Sequence, residues 1–451
     1  MRKIYDSSIA YRFAYWYVKL GLRLYYSKIV VAGKKNLPPN GRYIFAPNHR
    51  NALLDAFAIL YITPKGTSTS FLARADLFKN KWIAKFMRFS KIMPAFRMRD
   101  GFDQLNKNNH TFDESIDLLM NNQALCIFPE GDQEVEQRLR PLVKGIFRVA
   151  LSAQQNTTDD QPVYIIPVGL DYGNMQKFGK HLLIKIGRPI NMADYVIDYE
   201  ENSATTLNSL KEELSSRLKK LCLHIESESY YQVIQAATEY SYTKALKLRR
   251  IKRSILTEFR AKRIIAKNLS ILANENPERL HILEGVCLKY RYKLKKAHLQ
   301  ARNIENRTKL RFTLLKLPVL IIFFPVATVG LFLNALAFFS PVLIRKALKV
   351  EFVGFYSSIQ FAIGLISFPL FYSLQTALIA TLFSLNALQI ATLVVAHLAT
   401  GYIALKWHSL LKSIIAELTY YFMPDLKRRY LREIRARIHS ISLKNFTYNQ
   451  P

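Results

Sequence analysis

YIFAPNHRNALLDAF, residues 43 to 57, reads as a short apolar strand that ends in Asn48 and His49 and passes within a few residues into a helix. Strand, polar turn and helix in so short a span form the building unit of an α/β domain. His49 and Asp55 stand six positions apart in it. General base catalysis needs an imidazole near its working pKa, and a carboxylate partner fixes the tautomer and stabilises imidazolium as it forms. The same residues also suit a plain helix start, with Asn48 and His49 as a cap and Asp55 in the first turn, where negative charge is favoured.

Outward from this stretch, short β-rich runs alternate with helical ones between Ile29 and about Leu221. The strand candidates are 29–32, 43–47, 68–73, 92–96, 124–129, 164–170 and 182–186; the helical candidates are 53–62, 82–89, 112–120, 143–154 and 205–223. The strands are apolar and often β-branched, which predicts a buried, mainly parallel sheet flanked by helices. Three other strand ends carry chemistry. In IMPAFRMRDG, Arg97 and Arg99 follow a strand, and a guanidinium can grip a phosphate with a bidentate fork. In CIFPEGDQ, Glu130 and Gly131 close a strand, with a carboxylate able to accept from a hydroxyl; a simple turn is the competing reading. In VYIIPVGLDY, Pro167 interrupts an apolar run, which predicts an edge strand or a bulge.

Lys and Arg number 65 against 33 Asp and Glu in 451 residues, a net charge of +32, so the surface attracts anions: phospholipid headgroups, nucleic acid, or acidic substrates and carriers. Cys126, Cys222 and Cys287 fit no zinc or disulfide spacing, and the reading is buried thiols with no metal. The first 28 residues are interrupted by charge and read as an amphipathic, membrane-associated helix rather than a signal peptide. Ile9, Phe13, Trp16, Leu20 and Leu24 recur at helical spacing beside Arg12, Lys19 and Arg23.

No charged residue occurs from Leu317 to Ile344, nor from Phe352 to Leu405. A helix crosses a bilayer with about 20 apolar residues, so the second stretch holds a two-helix hairpin and the first a single crossing. Pro318, Pro325, Asn334 and Pro341 make a kinked or re-entrant first stretch an alternative. Basic residues flank both stretches, and a re-entrant segment followed by a crossing hairpin is preferred because it keeps every basic segment on the cytoplasmic side. Between 226 and 312 the pattern is long, helical and basic. With no recognition module for nucleic acid, a juxtamembrane helix on anionic lipid is the better reading, and no nucleic-acid partner is expected.

NHRNALLD, the Arg-containing IMPAFRMRDG, FPEG and YIIPVG resemble, in that order, the four sequence blocks of the glycerolipid O-acyltransferases, the glycerol-3-phosphate and 1-acylglycerol-3-phosphate acyltransferases. The resemblance covers about residues 30 to 225. It implies that His49 is the general base and Asp55 its partner, with direct attack of an acceptor hydroxyl on an acyl thioester and no acyl-enzyme. The absence of a G-x-S-x-G elbow agrees. It implies further that Arg97, or else Arg99, binds the acceptor phosphate, that Glu130 and Gly131 engage the acceptor glycerol, and that Pro167 lies nearer the acyl chain. Asn48, beside the base, joins the substrate-binding set.

Two features depart from the common pattern. Five residues rather than four separate His49 from Asp55, which resembles the yeast-type glycerol-3-phosphate acyltransferases and requires His49 to sit in a loop before the helix. FPEG is followed by Asp132 and Gln133 rather than Thr-Arg, so Arg138, Arg140 or Lys144 would replace the missing cation, and Lys144 is taken as a substrate-binding candidate. The expected organisation is an amphipathic helix (1–28), an α/β acyltransferase domain (29–225), a basic helical region (226–312), a transmembrane region (313–408) and a basic tail (409–451). The expected activity needs no cofactor: a membrane-bound enzyme acylates glycerol-3-phosphate or 1-acylglycerol-3-phosphate from acyl-CoA or acyl carrier protein, on the cytoplasmic side. A non-catalytic membrane lipid-binding or scaffold protein that keeps the fold is the alternative.

Overall fold

The structure, a computed structural model, describes residues 3–95, 108–305 and 310–446. It divides into two compact units: Met1–His224 together with Glu351–Ser358, and Ile225–Val350 together with Ile359–Pro451.

The first unit is built on a mainly parallel sheet. Its strands are β1 (Lys28–Ala32), β2 (Arg42–Pro47), β3 (Thr69–Arg74), β4 (Ile92–Ala95), β5 (Ala124–Cys126), β6 (Val163–Tyr172), β7 (His181–Ile186) and β8 (Ile190–Asn191). Their order is β1-β7-β6-β2-β5-β3-β4, with β8 pairing β6. The β6–β7 and β6–β8 pairs are antiparallel and the others parallel. Around it lie α1 (Ile9–Tyr25), α2 (Ala52–Ile59), α3 (Lys81–Phe89), α4 (Asn108–Met120), α5 (Gly145–Gln155) and α6 (Ser203–Leu221).

One core joins Ile44, Ala46, Leu125 and Ile165 of the sheet to Leu118, Phe147, Ala150, Leu210 and Leu214 of α4, α5 and α6. Side chains alternate across a strand, so Phe45 belongs to the other face, and it too is fully buried. Burial on both faces explains the unbroken apolar runs of β2 and β6.

Pro167 corrects one expectation. It lies in an interior strand, opposite Ala46 of β2, and not at an edge. Asn48 N donates to Val168 O and Arg42 N to Pro162 O, so even-numbered residues of β6 face β2 and the proline nitrogen faces the other side. There the partner changes from β8, whose pairing with β6 reaches Ile165, to β7, whose pairing begins at Val168. The missing N–H falls in that gap.

In the second unit, α7 (Tyr231–Leu248), α8 (Ile255–Glu275) and α9 (Pro277–Lys296) pack with the C-terminal α13 (Asp425–Ser442). Their apolar residues face inward, with Tyr290, Ile265 and Ile438 buried, and most of their Lys and Arg residues face outward, Arg435 being buried. α10 (Leu317–Ala347) is one continuous helix with Pro325 and Pro341 inside it. The helix continues through both prolines. α11 (Tyr356–Leu382) and α12 (Ala387–Tyr421) follow. The three segments Leu310–Ala347, Val353–Leu382 and Ala387–Tyr421 are long and apolar enough to cross a membrane.

Contacts Leu320–Trp407 and Asn334–His397 make α10 and α12 antiparallel. Their backbones approach closely at Gly330, where a Cβ would come within 2.2 Å of Thr400 O. Small residues allow such packing in lipid, where apolar area gives no driving force.

Candidate active site

His49 occupies the loop between β2 and α2, two residues past the last strand residue, Pro47, while Asp55 lies in the first turn of α2. The extra residue is absorbed at Ala52, whose φ of 42° is left-handed. A non-glycine residue there stores strain of about 1 kcal/mol or more. The bend brings His49 Nδ1 within 3.0 Å of Asp55 Oδ2.

The carboxylate of Asp55 is fully buried, and every group around it is a donor. Oδ2 accepts from Arg50 N at 2.7 Å and Asn51 N at 2.6 Å, and Oδ1 accepts from the Tyr172 hydroxyl at 2.5 Å. Burial, with Asp55 beside it, pushes the Tyr172 phenol far above its ordinary pKa, so the hydroxyl stays a donor. Asp55 therefore accepts from Nδ1–H, and Nε2 carries the free lone pair. Phe128 stacks on the imidazole at 3.9 Å between centroids and sets the ring plane. His49 keeps 18 % of its side chain exposed, enough to meet a substrate.

A second carboxylate orders the backbone of the base. Glu130 Oε1 accepts from His49 N at 2.7 Å and Oε2 from Arg140 N at 2.8 Å. Desolvation raises its pKa from 4.5 to about 7, against the lowering effect of those two backbone donors. The loop that follows adds Glu134 N to His49 O and Arg50 Nη2 to Val135 O. Gly131 turns the chain at φ +65°, with Val143 near where a side chain would begin. Asn48 is buried, and its amide bonds both the N–H and the carbonyl of Leu170, continuing the β2–β6 ladder by one side chain.

The structure thus brings Asn48, His49, Asp55, Glu130 and Gly131 to one end of the sheet. Pro167 is buried in β6 beside Ala46, and Lys144 is half-buried immediately before α5. Arg97 and Arg99 lie outside the described residues. Sequence reading missed Tyr172, Phe128, Ser357 and Ser358. The first two flank quoted motifs, VGLDY and FPEG, and were legible as neighbours. The serines lie about 300 residues downstream and carried no local signal: Ser357 Oγ donates to Asn51 Oδ1 at 2.7 Å, and Ser358 Oγ to Asn51 O at 2.5 Å.

Residues 28–171 match the family model described as Acyltransferase. Among characterised proteins, the 1-acyl-sn-glycerol-3-phosphate acyltransferase of Bacillus subtilis is 26% identical over 202 residues, 43% of this chain and 87% of that protein. Glycerol-3-phosphate O-acyltransferase 2 of Saccharomyces cerevisiae is 26% identical over 151 residues, 33% of this chain, and the match spans only 20% of the yeast protein's length. A crystal structure of the 1-acyl-sn-glycerophosphate acyltransferase of Thermotoga maritima aligns over 48% of this chain and 83% of its own, with 21% identity and a TM-score of 0.32.

Proposed function

The chain belongs, through residues 28–171, to the glycerolipid acyltransferase family, and from that premise we propose that it is a membrane-bound O-acyltransferase. It moves a fatty acyl group from acyl-CoA or an acyl carrier protein thioester to a hydroxyl of glycerol-3-phosphate or 1-acylglycerol-3-phosphate. The observation that carries this reading is the His49–Asp55 pair, with Nδ1 bonded at 3.0 Å and Nε2 left as the base.

In the proposed reaction, Nε2 takes the proton of the acceptor hydroxyl as its oxygen attacks the thioester carbonyl carbon. The new C–O bond gives a tetrahedral intermediate. Collapse breaks the C–S bond, and the leaving sulfur takes the proton from the imidazolium, which Asp55 has stabilised. His49 returns to its starting state with no acyl-enzyme. Arg97 or Arg99 is assigned to the acceptor phosphate, with Lys144 as a further cation near the turn after FPEG. Pro167 is assigned to the acyl-chain side.

Attachment to an anionic bilayer rests on the apolar helices α10 to α12 and on two exposed apolar faces in the catalytic unit. On α1, Ile9, Phe13, Trp16, Leu20 and Leu24 are all exposed, the stripe expected from spacing. On α3, Trp82 and Phe86 stand exposed beside Lys79, Lys81 and Lys85. The two helices meet at the Tyr11–Phe89 ring contact. Aromatic residues with flanking cations suit the headgroup region. The catalytic face is assigned to the cytoplasm, where both thioester donors are found.

The test is transfer of labelled acyl chains by membranes carrying the wild type or His49→Ala, with glycerol-3-phosphate, dihydroxyacetone phosphate and 1-acylglycerol-3-phosphate offered against both donors. The variant should lose about 10²-fold or more of the activity. Equal transfer by both proteins refutes the mechanism and favours a lipid-binding scaffold.

A further inference from the structure

We propose that Ser357 and Ser358, in the first turn of α11, are positioning residues that lock the His49–Asp55 turn; the proposal rests on the acyl-transfer reading. Residues Glu351–Ser358 fold as part of the catalytic unit. Four hydrogen-bonding side chains there are almost wholly buried: Asn51, Asp55, Ser357 and Ser358.

α2 starts badly on its own. Asn51 precedes it with φ −130° and makes no side-chain cap, and Ala52 is left-handed at 42°. The first-turn donors of a helix need partners from outside the helix. Asp55 Oδ2 takes Arg50 N and Asn51 N from below. Ser358 adds a further pair of bonds: its Oγ donates to Asn51 O at 2.5 Å and accepts from Leu54 N at 3.0 Å, bridging the two ends of the strained bend. Ser357 Oγ holds the Asn51 side chain at 2.7 Å. The three bonds fix the φ/ψ of residues 51 to 54, and that backbone sets where the Asp55 carboxylate meets the imidazole. The longer His-to-Asp spacing thus works with a cap contributed by a distant segment of the chain.

Ser358→Ala in the full-length chain, assayed in membranes, should lower kcat about tenfold while leaving KM for acceptor and thioester within about twofold, because the hydroxyl touches neither substrate. In a His49→Ala background the same change should cost nothing further, since its effect passes through the base. Unchanged kcat, or an equal loss in both backgrounds, overturns the proposal. If Ser358→Ala does not accumulate, Ser357→Ala, which removes one bond from the Asn51 side chain, is read in the same way.

Labelling gives a test free of folding effects. Cysteines placed at exposed Glu351 and exposed Lys177, both in the catalytic unit, should react from the same side of the membrane, because residues 351–358 must reach the catalytic turn. Opposite sidedness overturns the proposal. Wild type active with His49→Ala inactive, but Ser358→Ala normal, removes this inference alone. An inactive wild type removes both.

Discussion

At the scale of single residues, the site is a set of buried polar groups gathered around the carboxylate of Asp55. Asp55 takes four donors, and losing any one leaves the carboxylate short in a dry setting, at a cost of about 1–3 kcal/mol. Tyr172→Phe removes a donor that never touches substrate. It should lower kcat several-fold and leave acceptor KM nearly unchanged, and steady-state kinetics in membranes would check this; a change confined to KM would contradict it.

Glu130 supports a pH prediction. Its pKa is raised from 4.5 to about 7 by burial, so the folded state holds its proton more tightly than the unfolded chain does. The stability this gives is fully present below about pH 4.5 and is lost as pH rises through about 7, by an amount on the order of 3 kcal/mol. Glu130→Gln has no such dependence. Thermal midpoints in detergent should therefore show the wild type losing ground to Glu130→Gln between pH 4.5 and 7, and parallel curves would refute the assignment.

At the scale of elements, the decisive feature is which helix faces are covered. α3 buries little and presents Trp82 outward. With Trp16 and Trp407 replaced by Phe, the remaining Trp82 fluorescence should be quenched by lipids brominated near the headgroup in reconstituted anionic vesicles. Full emission in their presence would show that α3 does not reach the bilayer. The N-terminal segment ahead of α1 is tied down by the buried Lys91, whose Nζ reaches Tyr5 O at 2.7 Å, Ser68 Oγ at 2.9 Å and Ser7 Oγ at 3.1 Å. Burial brings this amine down to about 8.

In the apolar helices the equivalent joint is Gly330 against Thr400, next to Asn334, whose amide bonds His397 O at 3.2 Å and whose oxygen accepts from the Tyr372 hydroxyl. Gly330→Leu would drive a side chain into backbone. It should lower the thermal midpoint in detergent by several degrees, whereas an unchanged midpoint would mean that α10 and α12 do not pack there.

At the scale of the whole molecule, the net charge of +32 and the helices long and apolar enough to cross a membrane are the features on which the proposed attachment to anionic lipid rests. The α/β class and the mainly parallel sheet were legible because buried strands must be apolar along their whole length and helices must repeat every 3.6 residues. The loop position of His49 followed from arithmetic alone, since six helical residues would have turned Asp55 away from it. The three cysteines were readable as buried thiols, and all are buried. The antiparallel β6–β7 pair and the interior place of Pro167 were not legible, because a strand's sequence records its burial and not its neighbour's direction.

The sequence by itself therefore determined the local units: the strand ending in His49, the carboxylate in the following helix, and the apolar helices at the other end. These depend on propensity and periodicity over a few turns of chain. Only the tertiary structure decided how the six-residue spacing closes to 3.0 Å, through the left-handed Ala52, the Tyr172 hydroxyl and the caps from Ser357 and Ser358. Hydrogen bonds between groups more than a hundred residues apart leave no periodic trace in the sequence, and they are what fix the geometry of the pair.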